Sequence, residues 1–160
     1  MKKISVLVLC MIIMTCTIAC GQPDNIDISG YEDKTITFTG IEKKDIVLTI
    51  ADLKKMDCET IKAESTSDKI GKVQATGVWL DTILKGYDTS QEQFSDIVFY
   101  GTDDYSAKIN KSFLKDNQIM LAFGINDKPL DGDSEPCRII IRDSDSAYWT
   151  RKVDKIEFIK

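Results

Sequence analysis

The stretch Ala75-Thr-Gly-Val-Trp-Leu-Asp-Thr-Ile-Leu-Lys-Gly-Tyr87 is where the sequence is most informative about the fold. One apolar face of an α-helix is predicted by the i, i+3, i+4 and i+7 spacing of Leu80, Ile83, Leu84 and Tyr87. Gly77 ends an alternating, strand-like segment, and Gly86 lies where a helix would stop in a left-handed backbone. The two glycines are also explained as simple turn residues. The pattern predicts a strand that turns into a short amphipathic helix packed on a sheet.

The rest of the chain alternates short apolar runs with turns. Strands are predicted near residues 34–39, 46–48, 58–67, 73–77, 97–100, 105–109, 119–123, 137–142 and 153–159. Thr49 and Asp52 have the spacing of a capping box, and Asn110 can cap another short helix. Because strands outnumber short helices, the sequence predicts an α+β fold with a mixed β-sheet and a few short helices.

The N-terminus has the pattern of an export signal. Lys2 and Lys3 precede an apolar run over residues 4–18, which is short for a membrane span and typical of a secretory signal. Cys20 follows Ala19 at the end of this run. This arrangement resembles the lipobox of bacterial lipoproteins, in which the cysteine is lipidated. An ordinary cleaved signal with a fortuitous cysteine is the alternative.

These features divide the chain into three parts. The predicted parts are a signal peptide at 1–19, a lipidated Cys20 with a flexible polar tether at 20–33, and one folded domain at 34–160. The lipid would anchor the domain at the extracytoplasmic face of the bacterial cell membrane. The membrane is therefore the first predicted partner.

Charge and composition exclude several functions. Removing Lys2 and Lys3 with the signal changes the net charge from −5 to −7, and an acidic domain without a basic stripe does not favour nucleic acid. The chain has no histidine, the usual general base and the commonest transition-metal ligand. Two cysteines of the predicted domain, Cys58 and Cys137, can form a disulfide after export or stay as buried thiols.

Several segments together resemble one known family. In order, residues 48–53, 77–84, 104–109 and 136–141 are similar to the sulfite-oxidase-type molybdopterin-binding domain of oxidoreductases, and residues 149–158 are similar to its closing segment. The resemblance covers residues 34–160 and corresponds to a short version of the domain. It implies the fold of that domain and, in the full enzymes, a molybdenum–pterin cofactor with oxidoreductase activity.

The chain departs from the family at the metal ligand. The full enzymes bind molybdenum through a cysteine thiolate in the strand region between the two helical motifs, and residues 61–67 contain no thiol. Cys58 lies several residues too early, and the hydroxyl of Ser65 or Thr66 does not replace a soft thiolate. The Lys2-Lys3 pair is also not the twin arginine expected for export of a folded cofactor enzyme. We therefore predict no metal ligand, no catalytic residue and no bound cofactor, molybdopterin being implied by the resemblance only.

Basic residues late in the chain are the candidate binding site. Arg138, Arg151 and Lys152 are the predicted contacts, and the resemblance places Arg138 near the pterin cleft of the family. Converging guanidinium groups favour oxyanions because they can bind them in a bidentate manner. The alternative is surface pairing with the late carboxylates Asp143, Asp145 and Asp154.

The sequence thus predicts a non-catalytic module that binds a small anionic ligand or a redox protein partner. A molybdopterin-dependent oxidoreductase with altered cofactor binding is one alternative. An accessory subunit of a membrane redox complex is the other. Fold similarity does not decide among them, since activity depends on the site.

Overall fold

The computed structural model describes residues 25–67 and 70–160. The signal peptide predicted at 1–19 and the lipidation predicted at Cys20 lie outside the described residues and stay predictions. Within the described part of the chain, no helix has the length and hydropathy needed to span a bilayer.

In the described residues, ten strands and three short helices follow one another along the chain. The strands are β1 (Thr35–Thr39), β2 (Ile46–Thr49), β3 (Cys58–Glu64), β4 (Lys72–Trp79), β5 (Asp96–Gly101), β6 (Ser106–Asn110), β7 (Ile119–Ile125), β8 (Lys128–Pro129), β9 (Arg138–Ile141) and β10 (Val153–Ile159). The helices are α1 (Ile50–Lys54), α2 (Leu80–Lys85) and α3 (Lys111–Asp116). Single turns of 3-10 helix occur at Gln91–Gln93 and Ser146–Tyr148.

The strands form two five-stranded sheets. The first has the order β2-β1-β10-β5-β6, and its β1–β10 pair is parallel while its other pairs are antiparallel. The second has the order β3-β4-β7-β8, and β9 also pairs with β7. The predicted α+β class with a mixed sheet is confirmed. The division into two sheets was not predicted, because alternation within a strand does not specify its neighbours.

Local signals define the helices as expected. The capping box of Thr49 and Asp52 is present at α1, and the side chain of Asn110 accepts a hydrogen bond from the Phe113 backbone at 3.1 Å. The helical face predicted after β4 is buried, since Leu80, Ile83 and Leu84 are at most 2% exposed. Burial of such a face, more than helix propensity, stabilises a helix this short.

The two glycines around α2 have different roles. A Cβ atom on Gly77 would overlap the carbonyl of Leu121 and lie 2.6 Å from the Cα of Ala122, so β7 approaches β4 too closely for any side chain here. Gly86 has φ −65°, a right-handed conformation, so the predicted left-handed backbone at this glycine is wrong. The left-handed residue that follows the helix is Asp88, with φ 53°.

The tether predicted over residues 20–33 is wrong for residues 25–33, because this segment packs on the domain. Ile26, Ile28 and Tyr31 are 3–5% exposed and belong to the main core, the buried cluster that draws on both sheets. The Tyr31 hydroxyl donates to the Phe123 carbonyl at 2.6 Å and accepts from the Leu130 backbone at 3.0 Å. The folded domain therefore begins before Lys34. The polar composition of the segment concealed its three buried residues.

A second cluster lies on the other face of the second sheet. We call it the outer cluster, and it consists of Ile61, Ala63, Val73, Ala75, Met120, Ala122, Ile140 and Trp149. All of these residues except Trp149 come from β3, β4, β7 and β9. Trp149 comes from the connection between β9 and β10, which therefore crosses this face of the sheet and provides the walls of the candidate site.

Candidate functional site

A cleft of about 620 Å³ lies beside Trp149, where the connection before β10 meets the β5–β6 turn. We call it the Arg138 cleft, and it is lined by Ile70, Asp103, Tyr105, Arg138, Ser146, Trp149, Thr150 and Arg151. Its volume falls in the range of sites that hold small organic molecules. Two of the three predicted binding residues, Arg138 and Arg151, are thus brought together in one cleft.

Arg138 is placed in the cleft by strand alternation. It opens β9, in which Ile139 and Ile141 belong to the main core and Ile140 belongs to the outer cluster. Because side chains alternate along a strand, Arg138 shares the face of Ile140 and meets Trp149 there. Its guanidinium carbon lies 5.8 Å from the centre of the Trp149 ring, within the range of a cation–π contact.

The charge of Arg138 is held in an unfavourable environment. Burial lowers the pKa of this guanidinium, the positive charge of Arg151 lowers it further, and Asp131 acts in the opposite direction. Arginine nevertheless remains protonated at any ordinary pH. An anion placed between the two guanidinium groups would relieve both the desolvation and the repulsion, so the cleft favours negative ligands.

Unpaired buried atoms point to the same place. Among the described residues, four buried side-chain nitrogen or oxygen atoms lack a hydrogen-bond partner: Thr39 Oγ1, Gln91 Oε1, Arg138 Nε and Thr150 Oγ1. Two of the four, on Arg138 and Thr150, belong to residues that line the Arg138 cleft. Since buried polar groups are almost always bonded, these are the atoms that a ligand oxygen in the cleft would satisfy.

The mouth of the cleft adds an aromatic wall and one carboxylate. Tyr105 is 46% exposed, and its hydroxyl donates to the Ala147 carbonyl at 2.7 Å, which joins the β5–β6 turn to the 3-10 turn at Ser146–Tyr148. The carboxylate of Asp103 accepts from the Tyr105 backbone at 3.3 Å. The lining therefore holds two positive groups and one negative group, beside the apolar surface of Ile70 and the aromatic rings.

Lys152 does not line the cleft. Its ammonium group lies 3.6 Å from the carboxylate of Asp133, and its backbone has φ 55°. The left-handed residue turns the chain into β10 and directs the side chain to the loop at 131–135. The predicted set of three basic residues is therefore divided, with Lys152 outside the cleft.

Arg142 provides a useful contrast. Its guanidinium carbon lies 5.6 Å from the centre of the Trp79 ring, in a separate cavity of about 390 Å³ that Asp116 and Asp143 also line. Surface pairing was the alternative for the late arginines, but none of the ion pairs found among residues 25–67 and 70–160 includes an arginine. Arg138 and Arg142 thus both lie over a tryptophan, at two different sites.

The positions of the two thiols test whether the site fits a molybdenum cofactor. No disulfide joins Cys58 to Cys137. Cys137 is fully buried, and burial raises the pKa of its thiol, which disfavours the thiolate that a metal requires. Cys58 lies at the start of β3, with its sulfur 3.5 Å from the carbonyls of Leu53 and Lys54.

The other end of β3 lies beside a residue that contacts Trp149. Ser65 follows β3 there and pairs with Ser144, whose hydroxyl accepts from the Trp149 indole at 3.1 Å. Seven residues separate Ser65 from Cys58, or about 23 Å along a strand. Within the described residues, no group of three or more His, Cys, Asp or Glu side chains could hold a metal ion. Neither Cys58 nor Cys137 lines the Arg138 cleft.

Sequence reasoning found only part of this cleft. Trp149 is 3% exposed and belongs to the outer cluster, and it also lines the cleft. Tyr105 was predicted only as the start of a strand, and nothing marked Asp103 as a lining residue. Thr150 was recognised only within the segment that is similar to the closing segment of the family. Nothing local in the sequence brings the β5–β6 turn next to the segment before β10.

Comparison with known proteins agrees with this architecture. The fold is of the α+β class, and a family model described as the oxidoreductase molybdopterin binding domain matches residues 21–160. The chain belongs to this family. A search of curated proteins finds no match.

A solved structure shows the same fold. The sulfane dehydrogenase SoxCD from Paracoccus pantotrophus superimposes with a TM-score of 0.65 at 18% sequence identity. The match covers 80% of the present chain and 38% of the SoxCD chain. The likeness confirms the predicted molybdopterin-domain fold, while the chain spans well under half of that enzyme's length.

Proposed function

We propose that this domain is an exported, lipid-anchored binding module that holds a small anion in the Arg138 cleft and does not catalyse a redox reaction. The observation that carries the proposal is the pairing of Arg138 and Arg151 in one cleft with two unpaired buried polar atoms. A partner protein that presents an anionic group would use the same contacts.

The chemistry of the lining supports a fixed, specific site. Hydrogen bonds between an ionised donor and an anion are about twice as strong as neutral ones. The nitrogen Nε of Arg138 and the hydroxyl of Thr150 are both buried, so a ligand oxygen that reaches them is shielded from water. Trp149 beneath Arg138 restricts the guanidinium group and lowers the entropy lost on binding.

The first test is anion binding by the purified domain. Titration with inorganic sulfate and phosphate, followed by calorimetry, should show saturable binding that weakens as sodium chloride screens the exposed Arg151. Arg138→Ala should weaken binding by at least about 10-fold, because it removes a charged hydrogen bond worth about 1.5–3 kcal/mol. The matched control Arg142→Ala, which alters the other arginine–tryptophan pair, should bind as the wild type does. Binding that is lost equally in both variants would place the anion elsewhere.

A second test concerns the metal. The thiol positions support the absence of a molybdenum ligand, since Cys137 is buried and Cys58 lies at the far end of β3 from Ser65. Protein purified from its own host should therefore contain no stoichiometric molybdenum by elemental analysis and no pterin fluorescence. Stoichiometric molybdenum would favour the alternative, a molybdopterin-dependent oxidoreductase. Cys58→Ser would then be the first variant to examine.

The lipid anchor has its own test. The supporting observation is Cys20 after Ala19 at the end of the apolar run. Cys20→Ser should move the full-length protein from the membrane fraction to the soluble or secreted fraction, because no acyl chain would remain to hold it. A serine variant that stays in the membrane through an alkaline wash would contradict lipidation.

A further inference from the structure

The packed N-terminal segment determines how such a lipid anchor would hold the domain. Residues 25–33 were expected to be a flexible tether, yet Ile26 and Ile28 are buried in the main core and Tyr31 makes two buried hydrogen bonds. The chain between the proposed lipid site and the folded segment is therefore residues 21–24. From this we infer that the end of the domain near α1 faces the lipid surface. The inference rests on the lipid anchor proposed above.

The length of the remaining chain sets the distance. Five residue steps connect Cys20 to Asn25, and a fully extended chain spans at most about 3.6 Å per residue, or about 18 Å in all. A domain of this size has a radius of gyration of about 14 Å and is therefore wider than the tether is long. The domain must then lie against the membrane on the side where residue 25 leaves it.

Side-chain contacts identify that side. The ammonium group of Lys54, the last residue of α1, donates to the Ile26 carbonyl at 2.7 Å. The chain therefore leaves the folded domain beside the end of α1, close to where β3 begins. Lys55 is the next residue, and its side chain is 76% exposed.

The opposite end of the β3–β4 hairpin lies away from α1. Ile70 is in the connection between these two strands. Lys72 opens β4 directly after this connection and pairs with Glu64 at the end of β3. The seven residues of β3 extend about 20 Å, which separates the α1 end from the end that carries Ile70.

Two lysines provide a matched measurement of this orientation. Lys55 and Lys72 have 76% and 78% exposed side chains, and each has one weak ion pair, at 3.3 and 3.4 Å. We would bind the full-length lipidated protein to vesicles of phosphatidylcholine and phosphatidylglycerol, label its amines briefly, and quantify each site by mass spectrometry. Lys55 should react at least about threefold more slowly than Lys72 on vesicles, because the bilayer shields the α1 end. In the Cys20→Ser variant without vesicles, the ratio of the two rates should be about 1.

A spacer variant separates orientation from simple attachment. Insertion of about 20 glycine and serine residues between Gln22 and Pro23 adds a flexible chain of roughly 25 Å and should restore equal labelling on vesicles. Equal rates in the vesicle-bound wild type would overturn the inference while leaving the lipid anchor intact. Persistent protection of Lys55 in the spacer variant would also overturn it, since a contact other than the short tether would then shield this end. Failure of the lipidated wild type to bind vesicles would instead contradict the proposed anchor.

Discussion

Replacing Gly77 with alanine is expected to lower the free energy of unfolding by about 3 kcal/mol or more, at the upper end of the usual range for overpacking. The added Cβ would overlap the Leu121 carbonyl and lie 2.6 Å from the Cα of Ala122, and both are backbone atoms of the paired strand β7. A flexible side chain could rotate away, but a strand in the centre of a sheet can move only by breaking its ladder. Overpacking of this kind belongs to the few mechanisms that give large losses from one substitution. Urea denaturation followed by tryptophan fluorescence would measure the loss.

Gly86→Ala is the matched control at the other end of α2. Its Cβ would meet only the Ile83 carbonyl at 3.3 Å, and φ at this position is −65°, which alanine adopts readily. Alanine also loses less backbone entropy than glycine, so stability should stay the same or rise by up to about 1 kcal/mol. Similar denaturation midpoints for the two variants would contradict this prediction. They would show that β4 and β7 can move apart at Gly77 without a loss of stability.

Local patterns in the sequence were enough to predict most elements of the fold. The alternation of apolar residues in Val153–Ile159 predicted β10 with its observed bounds, and the Thr49–Asp52 capping box predicted the start of α1. These signals succeed because they depend on neighbours within a few residues. For the same reason, local patterns could not predict the parallel pairing of β1 with β10, because this pair joins strands from the two ends of the domain.

Two predictions from the sequence were wrong because the structure at those positions depends on tertiary packing. Ile26 and Ile28 stand among polar residues, and only the contact with Gly124 and the main core shows that the segment is folded. The left-handed backbone expected at Gly86 occurs instead at Asp88, because α2 continues through Lys85 and the turn forms after it. Composition alone thus placed the domain boundary too late.

The candidate site was predictable only in its charge. The late basic cluster and the family resemblance pointed to Arg138 and Arg151, and the structure brings both to one cleft. Lys152 is adjacent in sequence, but its left-handed backbone directs it to Asp133. Thr150 could not be recognised as a lining residue, because an unpaired buried hydroxyl becomes visible only when the packing around it is known.

Trp149→Ala is expected to cost about 3–5 kcal/mol of stability, the usual range for removing a buried tryptophan. Trp149 is 3% exposed and supports Arg138 on the outer cluster. Its indole nitrogen donates to the Ile141 carbonyl at 2.9 Å and to the Ser144 hydroxyl at 3.1 Å. The substitution therefore leaves a cavity and also removes the only hydrogen-bond donor of this ring. Denaturation in urea, followed by circular dichroism, would measure the loss without relying on tryptophan emission.

The second tryptophan makes the prediction specific. Trp79 also lies under an arginine, but it is partly exposed, so Trp79→Ala should cost clearly less than Trp149→Ala. The loss of stability in Trp149→Phe should lie between those of the two alanine variants. The phenyl ring still fills the outer cluster, but the two hydrogen bonds of the indole are lost. Sulfate binding should persist in Trp149→Phe, since Arg138 keeps an aromatic surface beneath it, and should weaken in Trp149→Ala measured where that variant is still folded. Equal losses of unfolding free energy in Trp149→Ala and Trp79→Ala would contradict the prediction. Trp149 would then not link the stability of the outer cluster to the position of Arg138 in the cleft.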